Sequence, residues 1–134
     1  MAMAQTKEID QERWPEFLIM FSNGNRGRSI AIEVVGVAPG HQPLTDTAPL
    51  FAIDYEPTNK GDDLVITTGR DEVDYTHTIS APAGIWELQN DYAKVTALEV
   101  IDRNGSKTMI RLCGVFPHTE GIGRFSISVG SLSL

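Results

Sequence analysis

The segment V-D-Y-T-H-T-I-S-A-P, residues 73–82, places a histidine in a pattern that alternates apolar and polar side chains. In an extended strand every second side chain points to the same face, so His77 shares a face with Val73, Tyr75 and Ile79. A histidine can act as a general base, but it then needs a carboxylate to orient it and a nucleophile or water to activate. The sequence fixes no such partner. We therefore favour a structural role, in which the buried imidazole is hydrogen-bonded, over a role in a ligand pocket or in catalysis.

Metal and thiol chemistry lack the residue spacing that they require. A metal ion needs three or four converging ligands, whereas His41, His77 and His118 are widely separated and no Cys-x-x-Cys pair is present. The single cysteine, Cys113, follows Leu112 in an apolar strand pattern, where a free thiol usually packs as a small hydrophobe. We predict no metal site, no cofactor and no catalytic residue.

Two glutamates invite comparison with the carboxylate pair of a glycosidase. Glu33 and Glu99 lie in the similar segments I-E-V and L-E-V. Strand alternation places each carboxylate opposite its apolar neighbours, so we expect both to face water or to pair with Lys or Arg across strands.

One amphipathic helix is predicted within residues 10–25. Its apolar side chains recur at i, i+3, i+4 and i+7 and form one stripe: Trp14, Phe17, Leu18 and Phe21. Asp10 is the expected N-cap. Because Pro15 has no backbone donor, either the first turn is a separate tight turn or the regular helix begins near Trp14.

After Gly27 the apolar period changes to 2, which predicts about eight short strands. The clearest hairpin spans residues 95–113, where Asn104-Gly105 predicts a two-residue turn with two positive φ angles. No crossover helices separate the strands. We predict a mostly β fold with one N-terminal α-helix: an antiparallel meander forming a small barrel or a two-layer sandwich, with the helix packed on an open end or face.

Charge and composition exclude several partners. The 134-residue chain has a formal net charge of −7, and its 11 Lys and Arg residues are scattered, so it should repel phosphate backbones and anionic lipids. We expect no nucleic-acid partner and no membrane association, since no apolar run approaches the roughly 18 residues of a span. The N-terminus lacks the apolar core of a signal peptide, and a lone cysteine cannot form an internal disulfide, which together predict a cytoplasmic location.

A chain of this length is expected to form one domain. We divide it into a flexible N-terminus at 1–8, a single α+β domain at 9–113 and a C-terminal extension at 114–134. The alternating segment R-F-S-I-S-V-G in that extension is compatible with an added strand.

The order and spacing of several short motifs resemble a family of small uncharacterised bacterial proteins catalogued as a domain of unknown function. The motifs are W-P-E-F-L at 14–18, I-E-V at 32–34, P-L at 49–50, H-T-I-S-A-P at 77–82, and L-E-V at 98–100 followed by N-G and I-R-L. The resemblance covers roughly residues 9–113. It implies a soluble protein of one domain and supplies no activity, cofactor or catalytic residue.

Three functional hypotheses follow from these patterns. We favour a non-enzymatic protein that binds a partner protein or itself, because the edge strands of a sheet suit such contacts. The alternative is a small-ligand binder with a pocket between helix and sheet, near His77, Tyr75 and Trp86. An enzyme with an unrecognised site is the third.

Overall fold

The structure, a computed structural model, describes residues 5–35, 41–43 and 47–113. A 3-10 turn, Gln11–Arg13, leads directly into the helix α1, Trp14–Asn25, and a second 3-10 turn spans Thr58–Lys60. The strands are β1 (Gln5–Glu8), β2 (Ser29–Val35), β3 (His41–Pro43), β4 (Ala48–Glu56), β5 (Asp63–Thr68), β6 (Tyr75–Ser80), β7 (Pro82–Gln89), β8 (Val95–Asp102) and β9 (Lys107–Leu112).

The strands form one antiparallel sheet in the order β1-β7-β8-β9-β2-β4-β5-β6, with β3 paired to β2. Two three-stranded meanders, β7-β8-β9 and β4-β5-β6, therefore lie on either side of β2. Within the described residues β1 does not pair with β6, so the sheet is open. The predicted mostly β, antiparallel fold with one N-terminal helix is confirmed, and the closed-barrel alternative is wrong.

Both halves of the sheet contribute to a single apolar core. The fully buried strand residues include Ile30, Ile32, Leu64, Ile66, Ile85, Leu98 and Ile110. The predicted helix stripe packs against them: Trp14, Leu18 and Phe21 are buried, and Phe17 is partly buried against the same cluster. Each such side chain contributes about 1.5–3 kcal/mol on burial, so the helix is held mainly by this stripe.

A short connection bends the chain from one half of the sheet to the other. Only Ala81 separates β6 from β7, although these strands lie near opposite ends of the strand order. Ala81 has a φ of 53°, and its carbonyl accepts a hydrogen bond from Arg103 N (3.0 Å) in the turn between β8 and β9. The Arg103 guanidinium also pairs with Asp62 before β5, at 2.8 Å. These contacts join the two halves at this end of the core.

Helix α1 also bonds to the backbone of β4, which the sequence pattern did not indicate. β2 pairs with β4 at only two positions, and beyond them the helix lies beside β4. Ser22 Oγ accepts a hydrogen bond from Ile53 N (2.9 Å) and lies 3.3 Å from Ile53 O, to which its hydroxyl donates. Leu50 N donates to Arg28 O (2.9 Å). The helix and the segment after it therefore provide hydrogen-bond partners for backbone groups on the part of the β4 edge that β2 does not cover.

The start of the helix is fixed by Trp14, which is 1% exposed. Its indole N–H donates to Ile9 O at 3.0 Å, and its ring meets the Tyr55 ring edge-on with centroids 5.2 Å apart. Pro15 lies in the first turn, so both expectations for it hold: a separate 3-10 turn precedes a helix that begins at Trp14. Asp10 makes no side-chain capping hydrogen bond, so the predicted cap is wrong.

Two further expectations differ from the structure. Residues 5–8, expected to be flexible, form β1 against β7, and Ile9 N continues the pairing by donating to Ile85 O at 2.9 Å. The hairpin of β8 and β9 is present, but only Gly105 of its turn has a positive φ, so Arg103, Asn104 and Gly105 form a three-residue loop instead of the predicted two-residue turn. Residues 114–134, where we expected an extension and a possible strand, lie outside the described residues.

We expect Ser22→Ala to lower the free energy of unfolding by about 1–3 kcal/mol, because it leaves the buried N–H and C=O of Ile53 without their hydroxyl partner. Urea denaturation followed by circular dichroism measures the change. Asn23→Ala, on the exposed side of the same helix, is the control and should change stability by no more than about 0.5 kcal/mol. Equal effects of the two substitutions would contradict the role assigned to Ser22.

Candidate functional site

Three strands of the described sheet, β1, β3 and β6, pair with another strand on one side only. Natural proteins block such edges with charged side chains, proline or very short strands. β1 carries Lys7 and Glu8, and β3 is three residues long and ends at Pro43. β6, with the sequence Y-T-H-T-I-S, has six residues, no charged side chain and no proline. It is the least protected of these three edges.

The hydrogen-bonding phase of β6 identifies the backbone groups that face away from β5. Ala81 N donates to Asp62 O (2.9 Å), in the same register in which Ile79 pairs with Leu64 and His77 with Ile66. Bonded and non-bonded pairs alternate along an antiparallel ladder, so Ile79 and His77 bond to β5.

The intervening residues of β6 point their backbone groups the other way. The N–H and C=O groups of Thr76, Thr78 and Ser80 are directed toward the open edge. Their side chains are all exposed. Two large apolar side chains near the start of the strand, Val73 at 45% and Tyr75 at 37%, are also exposed. In the part of the chain that the structure describes, this edge thus combines unpaired backbone groups with neutral hydroxyls and apolar surface.

His77 lies on the same face of β6 as the buried Ile79 and is itself half-buried. Burial lowers the pKa of its imidazole below the ordinary value of 6.5. Among the described residues, no hydrogen bond to the ring is found, which differs from the hydrogen-bonded structural role that we expected. The neutral ring therefore lies at the border of the core, on the face of β6 that also carries Tyr75.

The three side chains predicted to share a ligand pocket are not brought together. Tyr75 and His77 lie on β6, at one end of the strand order, whereas Trp86 lies on β7, next to the other end. Trp86 alternates with the buried Ile85 and so faces away from the core, with its indole against Gly84. A Cβ on Gly84 would collide with this ring, so glycine is required for the indole to lie there.

An open cleft does lie between the end of the helix and the sheet, but other residues form it. Its volume is about 410 Å³, and its surface is mostly apolar, with Phe21, Val95 and Leu112 in its walls. Two cations, Arg28 and Lys94, also line it. The remaining lining residues are Gly24, Asn25, Asn90 and Thr96, so no carboxylate contributes to the lining.

The carboxylates that suggested a glycosidase are engaged in ion pairs across strands. Glu33 pairs with Arg111 at 2.9 Å, and Glu99 with Lys107 at 3.7 Å. Over residues 5–35, 41–43 and 47–113 no group of three or more His, Cys, Asp or Glu side chains could hold a metal ion. In the same part of the chain, the helices are too short or too polar to cross a bilayer.

Comparison with known proteins identifies the family of this chain. Residues 5–114 match a family of unknown function, DUF5335. The chain belongs to this family. An uncharacterized protein of Aquifex aeolicus (strain VF5) is 29% identical over 115 residues, which cover 86% of this chain and 98% of that protein. No solved structure matches the chain. The DUF5335 assignment confirms the resemblance to small uncharacterised bacterial proteins.

Sequence reasoning missed the residues of the cleft and the special position of β6. The cleft joins the end of α1 to β8 and β9, a juxtaposition created by tertiary packing that has no local sequence signal. The β6 edge did have a signal, since Y-T-H-T-I-S is the one of the three edges that is both long and free of charge and proline. This signal could identify an exposed edge only once the strand order was known.

The pH dependence of stability tests the burial of His77. Its pKa is lower in the folded than in the unfolded chain, so unfolding takes up protons below about pH 6.5 and stability falls as the solution is acidified. We expect the loss of unfolding free energy between about pH 7.5 and about pH 5 to be smaller in His77→Gln than in the parent chain. The carboxylates contribute to both proteins alike. Identical pH profiles would contradict the assigned burial.

Proposed function

We propose that this member of the DUF5335 family is a non-enzymatic cytoplasmic protein that binds protein partners by strand addition at β6. In this mode an extended segment of the partner pairs with an exposed sheet edge, and backbone hydrogen bonds provide the affinity. The single observation that carries the proposal is the contrast among the edges: β1 and β3 have the features that prevent pairing, and β6 has none of them.

The surroundings of β6 support the same interpretation. The exposed side chains of Val73 and Tyr75 offer apolar contacts to residues that alternate along an added strand. Thr76, Thr78 and Ser80 offer hydroxyls without the entropy cost of long charged side chains. The lone cysteine, Cys113, supports a reducing location.

A panel of random peptides displayed on phage tests the proposal. Peptides selected on the full chain should bind it with an affinity that falls at least tenfold in Thr78→Pro, because proline removes an outward backbone donor. Thr78→Val keeps that donor and is the matched control, with binding close to that of the parent chain. Selection of no peptide, or of peptides that bind all three proteins equally, would contradict strand addition at β6.

The cleft supports a second candidate function, the binding of a small apolar anion. Its walls are mostly apolar, and the exposed cation Lys94 is part of its lining, in a chain whose net charge is −7. A cation in the lining of an apolar cleft favours a ligand with an apolar body and a carboxylate or sulfonate group. This candidate uses residues other than His77, Tyr75 and Trp86, since none of these three lines the cleft.

Fluorescence titration with anilinonaphthalene sulfonate tests this candidate. We expect Lys94→Gln to weaken binding of the probe up to about fivefold, the effect of losing one exposed ion pair. Lys60→Gln removes another exposed lysine, which lies in the Thr58–Lys60 turn and does not line the cleft, and should leave the affinity unchanged. Equal affinities of the two variants, or no saturable binding, would exclude the anion site.

A further inference from the structure

We infer that one partner of β6 is a second copy of this chain, and that two β6 strands pair antiparallel about a twofold axis at Thr78. The inference rests on the proposed function and specifies its partner and register. An antiparallel pair of identical strands is isologous, so each copy uses the same surface and the assembly closes as a dimer. The sheet would then run continuously through both molecules.

The backbone phase of β6 restricts the register, and an axis at Thr78 allows all three outward-facing residues to pair. The outward N–H and C=O groups belong to Thr76, Thr78 and Ser80, so these residues must face one another for the hydrogen bonds to form. A twofold axis at Thr78 places Thr78 opposite Thr78 of the second copy and Thr76 opposite Ser80. A shift by one residue would place each outward-facing residue opposite a residue whose backbone groups bond to β5, so these hydrogen bonds would be lost.

The side chains of β6 suit this register on both faces. Thr opposite Thr and Thr opposite Ser are favourable cross-strand pairs, because their hydroxyls can hydrogen-bond. On the other face His77 would lie opposite Ile79 of the second copy, which adds apolar contact to a half-buried ring.

Charge explains why two copies would meet at this edge. At a net charge of −7 two chains repel each other over most of their surfaces. β6 carries no charge, and in the inferred register the nearest carboxylate, Asp74, falls opposite Pro82, not opposite another carboxylate. The strand is thus a neutral segment on an acidic chain, at which repulsion between copies is low.

Charged substitutions at Thr78 test both the partner and the register. The parent chain should show a concentration-dependent dimer in size-exclusion chromatography with light scattering. Thr78→Lys and Thr78→Glu each place like charges opposite each other on the axis, so each variant alone should weaken dimerisation at least tenfold. A mixture of the two should recover the dimer as a heterodimer. Circular dichroism of each variant checks that the fold is retained.

The outcomes separate this inference from the proposed function. A dimer that forms equally in Thr78→Lys, Thr78→Glu and the parent chain would mean that another surface is used, and would overturn the inference. A parent chain that stays monomeric at every concentration would also overturn it, although the peptide selection could still find strand addition at β6. If no peptide bound there either, the proposed function would fail as well. Loss of the dimer in both variants without recovery in the mixture would reject the register.

Discussion

An open antiparallel sheet leaves backbone N–H and C=O groups along its edges, and each of these groups must bond to protein or to water. This constraint explains how the helix contacts β4 and how the edge strands β1, β3 and β6 differ. Where β2 separates from β4, the Ser22 hydroxyl serves both backbone groups of Ile53, and the segment after the helix serves Leu50. At β1 and β3 charge, short length and proline prevent further pairing. β6 is left with a neutral, six-residue edge.

The helix therefore has two roles in the fold. Its apolar stripe fills the core, and Trp14 links the N-terminal strand to β4 through the carbonyl of Ile9 and the ring of Tyr55. Its position beside β4 also leaves the mostly apolar cleft at its C-terminal end, lined by Arg28 and Lys94. The packing that completes the core thus also creates the cleft. The strand order, in contrast, leaves β6 at an edge of the sheet.

Local periodicity predicted the elements well, because the side chains of one helix stripe or one strand face are set by neighbours in sequence. Trp14, Leu18 and Phe21 are buried as their spacing indicated, and the runs that become β4 to β9 alternate or are β-branched. Strand order could not be predicted, because β6 and β7 are consecutive in the chain, with one residue between them, and yet do not pair and lie near opposite ends of the strand order. A small barrel was one of the two predicted architectures, on the argument that closure removes edges. The described sheet is open, and its edge strands differ in length, charge and proline content. The positions of His77, Tyr75 and Trp86 likewise depend on the strand order, since the first two lie on β6 and the third on β7.

Residue-resolved amide hydrogen exchange of the dilute, monomeric chain tests the edge account most directly. We expect an alternating pattern along β6: the amides of Thr76 and Thr78 exchange rapidly because they face solvent, whereas those of His77 and Ile79 are protected by β5. The amide of Ile53 should also be protected, although its acceptor is the Ser22 hydroxyl and not a strand carbonyl. Protection of Thr78 in the monomer, or exchange of Ile53 as fast as that of Thr78, would contradict the account.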